Sequence, residues 1–180
     1  ATELEARYCR ASEIIVVGGG NSAGQAAMFL SRSAKHVHVL VRGDSLAASM
    51  SSYLSDRLEN DPAITVHYNS QIDSLEGDAR LGRVHVHNRG SKETWCVESP
   101  AAFIMVGAAP NTAWLSGLVQ LDPKGFVLTG MEAGGRSTFE TSLAGVFAVG
   151  DVRAGSTKRV ASGVGEGSVV ISKVWEHVKG

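Results

Sequence analysis

The 180-residue chain sets 17 Lys and Arg against 18 Asp and Glu, a formal net charge of -1, so charge gives no reason to expect a nucleic acid or an anionic membrane as partner. Apolar residues make up 43% and charged residues 19%, which excludes a disordered chain and leaves room for one large domain or two small ones. No apolar run approaches the ~20 residues of a membrane span and nothing at the start reads as a signal peptide, so a cytoplasmic location is expected; Cys9 and Cys96 form no Cys-x-x-Cys, zinc spacing or disulfide framework.

Residues 1–8 show no helix start, and residues 1–11 read as an inter-domain linker from within a longer protein. Ile14-Ile15-Val16-Val17 is a short apolar run suited to a strand buried on both faces. Gly18-Gly19-Gly20 breaks it, and Ala23, Ala26, Ala27 and Leu30 then recur at helical spacing, predicting a helix over roughly 22–33. Strand, glycine turn and helix give context to the pattern Gly18-x-Gly20-x-x-Ala23. Gly18 lets the chain turn sharply, Gly20 lets a pyrophosphate approach the backbone, and small Ala23 lets helix and strand pack closely. The helix N-terminus offers N–H groups to phosphates, with Asn21 and Ser22 as further donors or caps. The alternative is a glycine-rich turn that only closes the fold.

A second strand follows over 35–43, then a helix over 49–60 with Met50, Tyr53, Leu54 and Leu58 on one side, and a third strand over 64–68. Strand, helix, strand over ~30 residues predicts a right-handed βαβ unit. Residues 71–76, 83–88 and 94–98 then predict a three-stranded antiparallel meander, with His85 and His87 on one face and Val84 and Val86 on the other. Residues 103–107 read as a buried strand, 126–128 as a small strand, 129–142 as a glycine-rich loop, 146–151 as an apolar strand and 160–178 as a final helix.

The second strand ends at Arg42, with no acid before it. An acid at that tip selects NAD through the ribose 2′-hydroxyl, whereas a guanidinium suits the 2′-phosphate of NADP, so Arg42 favours NADP. A solvated strand-end arginine is the plain alternative. His67, His85 and His87 lack the further ligands zinc needs and are expected as solvated strand residues. Trp95, Trp114 and Trp175 are expected in a core or an interface, and Cys9 as a half-buried apolar residue.

Three stretches together resemble the thioredoxin reductases. Residues 18–27, Gly-Gly-Gly-Asn-Ser-Ala-Gly-Gln-Ala-Ala, are similar to the NADPH-binding segment of that family. Gly107-Ala108-Ala109-Pro110-Asn111-Thr112 is similar to its crossing between domains, and residues 141–152, Thr-Ser-Leu-Ala-Gly-Val-Phe-Ala-Val-Gly-Asp-Val, to its second FAD segment. The resemblance covers essentially the whole chain. It implies an α/β fold: a Rossmann-like NAD(P)H-binding domain with a parallel sheet and a meander over 12–109, then the C-terminal part of an interrupted FAD-binding domain over 110–180. It implies NADPH and FAD as cofactors, with Gly18, Gly19, Gly20, Asn21, Ser22, Ala23, Arg42 and Gly107 toward the nucleotide. Gly150 and Asp151 would meet the ribityl chain, and Arg159, Val160 and Ala161 the flavin ring.

Three departures accompany it. Where the family has Cys-x-x-Cys, this chain has Ala1-Thr2-Glu3-Leu4, so an acceptor other than an active-site dithiol is expected. The family's basic 2′-phosphate set is reduced to Arg42 among Val41, Arg42, Gly43 and Ala47. The N-terminal FAD half with its own glycine fingerprint is expected outside this chain, which would then keep no FAD alone and could pair with a second copy through the incomplete domain. No acid–base residue is needed for hydride transfer, and no catalytic residue is expected. A non-catalytic NADPH-sensing module and an inert truncated fragment stay open beside the oxidoreductase reading.

Overall fold

The computed structural model describes residues 2–47 and 49–180, and the chain divides into two compact units, Ala1–Gly107 and Ala108–Gly180. The fold is α/β. In the first unit β1 (Glu13–Val17), β2 (His36–Leu40), β3 (Ile64–His67) and β7 (Ala102–Ile104) form a parallel sheet in the order β3-β2-β1-β7. β4 (Ser70–Glu76), β5 (Arg83–Asn88) and β6 (Thr94–Glu98) form the antiparallel meander.

The apolar run 14–16 is buried on both faces because each face has its own cover. Ile14 and Val16 join Val37, Val39 and Ile64 against α1 (Glu3–Tyr8), α2 (Asn21–Leu30) and α3 (Ser52–Glu59). Ile15 and Leu40 point the other way, onto Val84, Val86 and Val97 of the meander. The predicted helical stripe of Ala23, Ala26, Ala27 and Leu30 is buried throughout, and Val84 and Val86 are fully buried while His85 and His87 are not.

Several elements differ from expectation. Residues 3–8 form a helix, not a plain lead-in. Thr2 at the N-cap and Glu5 three residues on make a capping box, in which the Thr2 N–H donates to the Glu5 carboxylate at 2.7 Å. The helix α3 begins only at Ser52 because the chain before it is held at Leu46, whose carbonyl accepts from both the Ser49 and the Met50 N–H. Tyr53 consequently faces solvent, while Leu54 and Leu58 are buried. The strand β7 is shorter than expected and lies at a sheet edge with β1 as its neighbour, so Ile104 and Val106 are exposed. Cys9 is fully buried, and His67 is half-buried beside Trp95, not solvated.

In the second unit, the expected strands at 126–128 and 146–151 do not form. Val127 makes single bridges to Leu121 and Arg153, and Phe147 makes one to Glu140. Without a neighbouring strand along their length these apolar segments stay extended but build no ladder. Val119, Val127, Ala133, Phe139 and Val170 supply a small core. Glu140 is buried among them, and its carboxylate accepts from the Arg136 N–H at 2.7 Å and the Gly145 N–H at 3.1 Å. The final helix, α4 (Val160–Lys179), turns Glu166, Val170 and His177 toward this core. Its other side exposes Val160, Val164, Ile171, Trp175 and Val178, which share one stripe at helical spacing. Trp175 on this stripe and Trp114, in the short turn Ala113–Leu115, are exposed, while Trp95 packs against the meander core.

Candidate functional site

The glycine turn lies at the carboxyl end of β1, where the sheet order reverses between β1 and β7, the place at which open parallel sheets bind ligands. Gly18 has φ +144, and a Cβ there would collide with the Met105 carbonyl oxygen and lie 3.0 Å from Ala23 Cβ. It permits strand, turn and helix to cross. Gly19 packs on Val41, and its carbonyl accepts from the Ser49 hydroxyl at 2.8 Å.

Gly20 is the N-cap of α2, with φ -96 and no side-chain cap. A Cβ on it would meet only the Ser49 carbonyl oxygen, at 3.7 Å. The first hydrogen bond of the helix is Gly24 N–H to the Gly20 carbonyl at 3.1 Å. The N–H groups of Asn21, Ser22 and Ala23 find no acceptor among the described residues, as a helix start dictates when no cap is present. Asn21 does not cap the helix: its side-chain oxygen accepts from the Ser51 N–H at 2.9 Å. Ser22 is exposed.

The turn after β2 thus forms one wall of the glycine turn through Ser49 and Ser51, which the sequence analysis missed. Their only signal was a polar pair interrupting the helical spacing. Arg42 is two residues beyond β2, exposed, and without a carboxylate partner among the described residues. Gly107 closes the first unit with φ +88 and open space where a Cβ would stand.

In the second unit Gly150 has φ +73 and opens the short turn Gly150–Val152. The carboxylate it meets is not that of Asp151. Gly150 N–H donates to Glu166 Oε2 at 2.6 Å, and Arg153 grips the same carboxylate through Nη2 at 2.5 Å and Nε at 3.2 Å. Asp151 is exposed, with its carbonyl accepting from Lys158 Nζ at 2.8 Å. Arg159 is the N-cap of α4, with Val160 and Ala161 in its exposed first turn. The interaction of Glu166 with Arg153 and Gly150 was invisible in the sequence, because nothing local marks a carboxylate 13 residues from its partner.

The Arg153 guanidinium, helped by the Gly150 N–H, holds the Glu166 carboxyl below its ordinary range near 4.5 against the opposing effect of burial. A lowered carboxylate contributes stability that is present above the unfolded value and is lost as pH falls through the folded one. The urea midpoint followed by helicity should therefore drop as pH falls below the ordinary carboxylate range near 4.5. Glu166→Gln should lower that midpoint at pH 7 and flatten its pH dependence; an unchanged slope would contradict the pairing.

Comparison with known proteins decides the family. Residues 2–167 match the family described as pyridine nucleotide-disulphide oxidoreductase. The chain belongs to that family. Its relatives within the pyridine nucleotide-disulphide oxidoreductases include thioredoxin reductases. It is 36% identical over 158 residues to NADPH-dependent thioredoxin reductase 3 of Arabidopsis thaliana, covering 87% of this chain and 28% of that protein. It is 34% identical over 157 residues to the thioredoxin reductase of Chlamydia pneumoniae, covering 87% and 48%. The crystal structure of Lactococcus lactis thioredoxin reductase superposes with a TM-score of 0.81 at 27% identity, covering 97% of this chain and 55% of that one. The chain thus spans about half the length of these relatives, or less. Among its described residues no helix is long and apolar enough to cross a membrane.

Proposed function

We propose that this chain is the NADP(H)-binding portion of a thioredoxin-reductase-like flavoprotein. The observation that carries the reading is the row of Asn21, Ser22 and Ala23 N–H groups that find no acceptor among the described residues, standing over a Gly20 whose Cβ position is open. Such a cradle fits the pyrophosphate of a dinucleotide. Gly18 and Ala23 keep the crossing close enough for the helix end to face it, and in this reading the exposed Arg42 receives a 2′-phosphate.

When bound, the nicotinamide supplies a hydride and the flavin accepts it. The residues of this chain bind and orient. Asp151 keeps an exposed carboxylate able to accept from ribityl hydroxyls, beside the α4 start at Arg159, Val160 and Ala161. The apolar stripe of α4 is the surface on which the rest of such a flavoprotein, or a second copy, packs. The acceptor in this reading is not an active-site dithiol. Cys9 is fully buried, with its thiol pushed up by that burial, and a buried thiol is a poor exchange partner. The same feature supports a second reading, a cytoplasmic NADPH-sensing module without turnover. NADPH oxidation with artificial acceptors by the complete flavoprotein separates the two.

Arg42→Ala tests the nucleotide preference. Calorimetric titration should show NADPH weakened about tenfold, the order expected for a charge-assisted contact to phosphate, with NADH unchanged. Equal losses for both coenzymes would remove Arg42 from the site.

A further inference from the structure

On the meander side of the parallel sheet, polar rings form a connected row. His38 Nδ1 lies 3.0 Å from His67 Nε2, and His38 Nε2 lies 3.2 Å from Glu13 Oε2. Glu13 Oε1 accepts from Lys35 Nζ at 2.9 Å, and His36 Nε2 lies 2.8 Å from Thr65 Oγ1. From β6 the neutral Trp95 ring covers His67, with centroids 5.1 Å apart. The residues facing His67 are thus His38 and His36 on β2 and Trp95 on β6, with Glu13 and Lys35 one step further along the row.

We infer that His38 and His67 form a one-proton latch that ties the edge strand β3 to its neighbours and opens when both rings are charged. The hydrogen bonds assign the protons. Glu13 accepts, so His38 Nε2 carries a hydrogen. A neutral His38 then has a bare Nδ1, and His67 Nε2–H must donate into the gap. A first added proton is tolerated: His38 becomes the cation, donates through Nδ1, stays paired with Glu13, and His67 shifts its own hydrogen to Nδ1. A second proton leaves two N–H groups aimed at each other across 3.0 Å with no lone pair between them, and the rings must part.

Burial pushes His38 down, opposed by the hydrogen bond to Glu13. Burial, and then the neighbouring His38 and His36, push His67 down to about 4. The folded chain therefore binds fewer protons than the unfolded one between that value and about 6.5, and stability falls as pH drops through the window. The strain would be released at β3, because it lies at the sheet edge and β2 is its partner strand. Release would also reach the β2 exit, since the Val41 N–H donates to the His67 carbonyl at 2.9 Å, immediately before Arg42. This inference does not depend on the proposed nucleotide site.

The test uses the whole chain with Trp114→Phe and Trp175→Phe, so that emission reports Trp95 alone. Ring-nitrogen NMR at pH 8 should show His67 protonated at Nε2 and bare at Nδ1. Trp95 emission should change cooperatively with a midpoint near pH 4. His67→Gln keeps a donor but cannot take the charge, and it should move that midpoint down by about one pH unit or more. The opposite His67 tautomer, or a midpoint unmoved by His67→Gln, would overturn the latch. Should His67→Gln fail to fold at pH 8, the tautomer in the unsubstituted protein decides by itself.

Discussion

Gly18→Ala should unfold the first unit at a temperature lower by roughly 10 °C or more, a loss on the order of 3 kcal/mol. Two effects act together. The backbone at φ +144 disfavours any residue with a Cβ, and the added methyl would run into a carbonyl oxygen on main chain, not a flexible side-chain tip. That carbonyl belongs to Met105, whose N–H donates to the Val17 carbonyl at 2.7 Å. To make room, the chain must either pull the end of β7 away from β1 or tilt α2 off the sheet, where Ala23 stands 3.0 Å from the new methyl. Both movements open the fully buried cluster around Ile14 and Val16. Thermal unfolding of the full chain carrying Trp114→Phe and Trp175→Phe, so that Trp95 emission reports the first unit, checks the expectation. A shift under about 2 °C would mean that the crossing is looser than its geometry shows.

The same crossing shows what the sequence carried and what it did not. Residues 14–30 were legible because strand, turn and helix each announce themselves locally: β-branched residues, three glycines, then alanines at helical steps. The meander was legible for the same reason, since alternation of Val84 and Val86 with His85 and His87 is a property of neighbours in sequence. The failures share a different cause. Val146–Val149 reads as a strand by composition, yet a strand needs a partner, and residues 140 and 147 make only one bridge. Tyr53 was assigned inward because a turn held by Leu46, not the periodicity of the helix, sets where α3 begins. The capping box at Thr2 and Glu5 was present in the letters, but it starts a helix of only 6 residues, too short for an apolar stripe to confirm it. In the candidate site, Gly18 to Ala23 could be named from sequence. Ser51 bonding to Asn21 and Glu166 to Arg153 could not, because only folding brings those residues together.

Gly18 and Gly20 both belong to the fingerprint, yet only the first is required by packing, and this contrast gives the sharpest test of the proposed function. Gly20→Asp should leave the fold intact or stabilise it by roughly 0.5–1 kcal/mol. The residue already has an extended N-cap conformation at φ -96, its Cβ position is open, and a carboxylate there would accept from the first N–H groups of α2 and complement the helix dipole. Those are the donors the proposal reserves for a pyrophosphate. The substitution therefore occupies the cradle and sets a negative charge against the phosphates, so NADPH and NADH should both lose more than about a hundredfold in affinity, equivalent to about 2.7 kcal/mol. Loss of binding in a protein whose thermal midpoint is unchanged or raised cannot be attributed to unfolding. Titration of both coenzymes alongside a thermal scan reads the two quantities on one sample. If Gly20→Asp binds NADPH as the unsubstituted chain does, the exposed N–H groups at the start of α2 are not where the dinucleotide sits, and the role proposed for Arg42 loses its anchor as well.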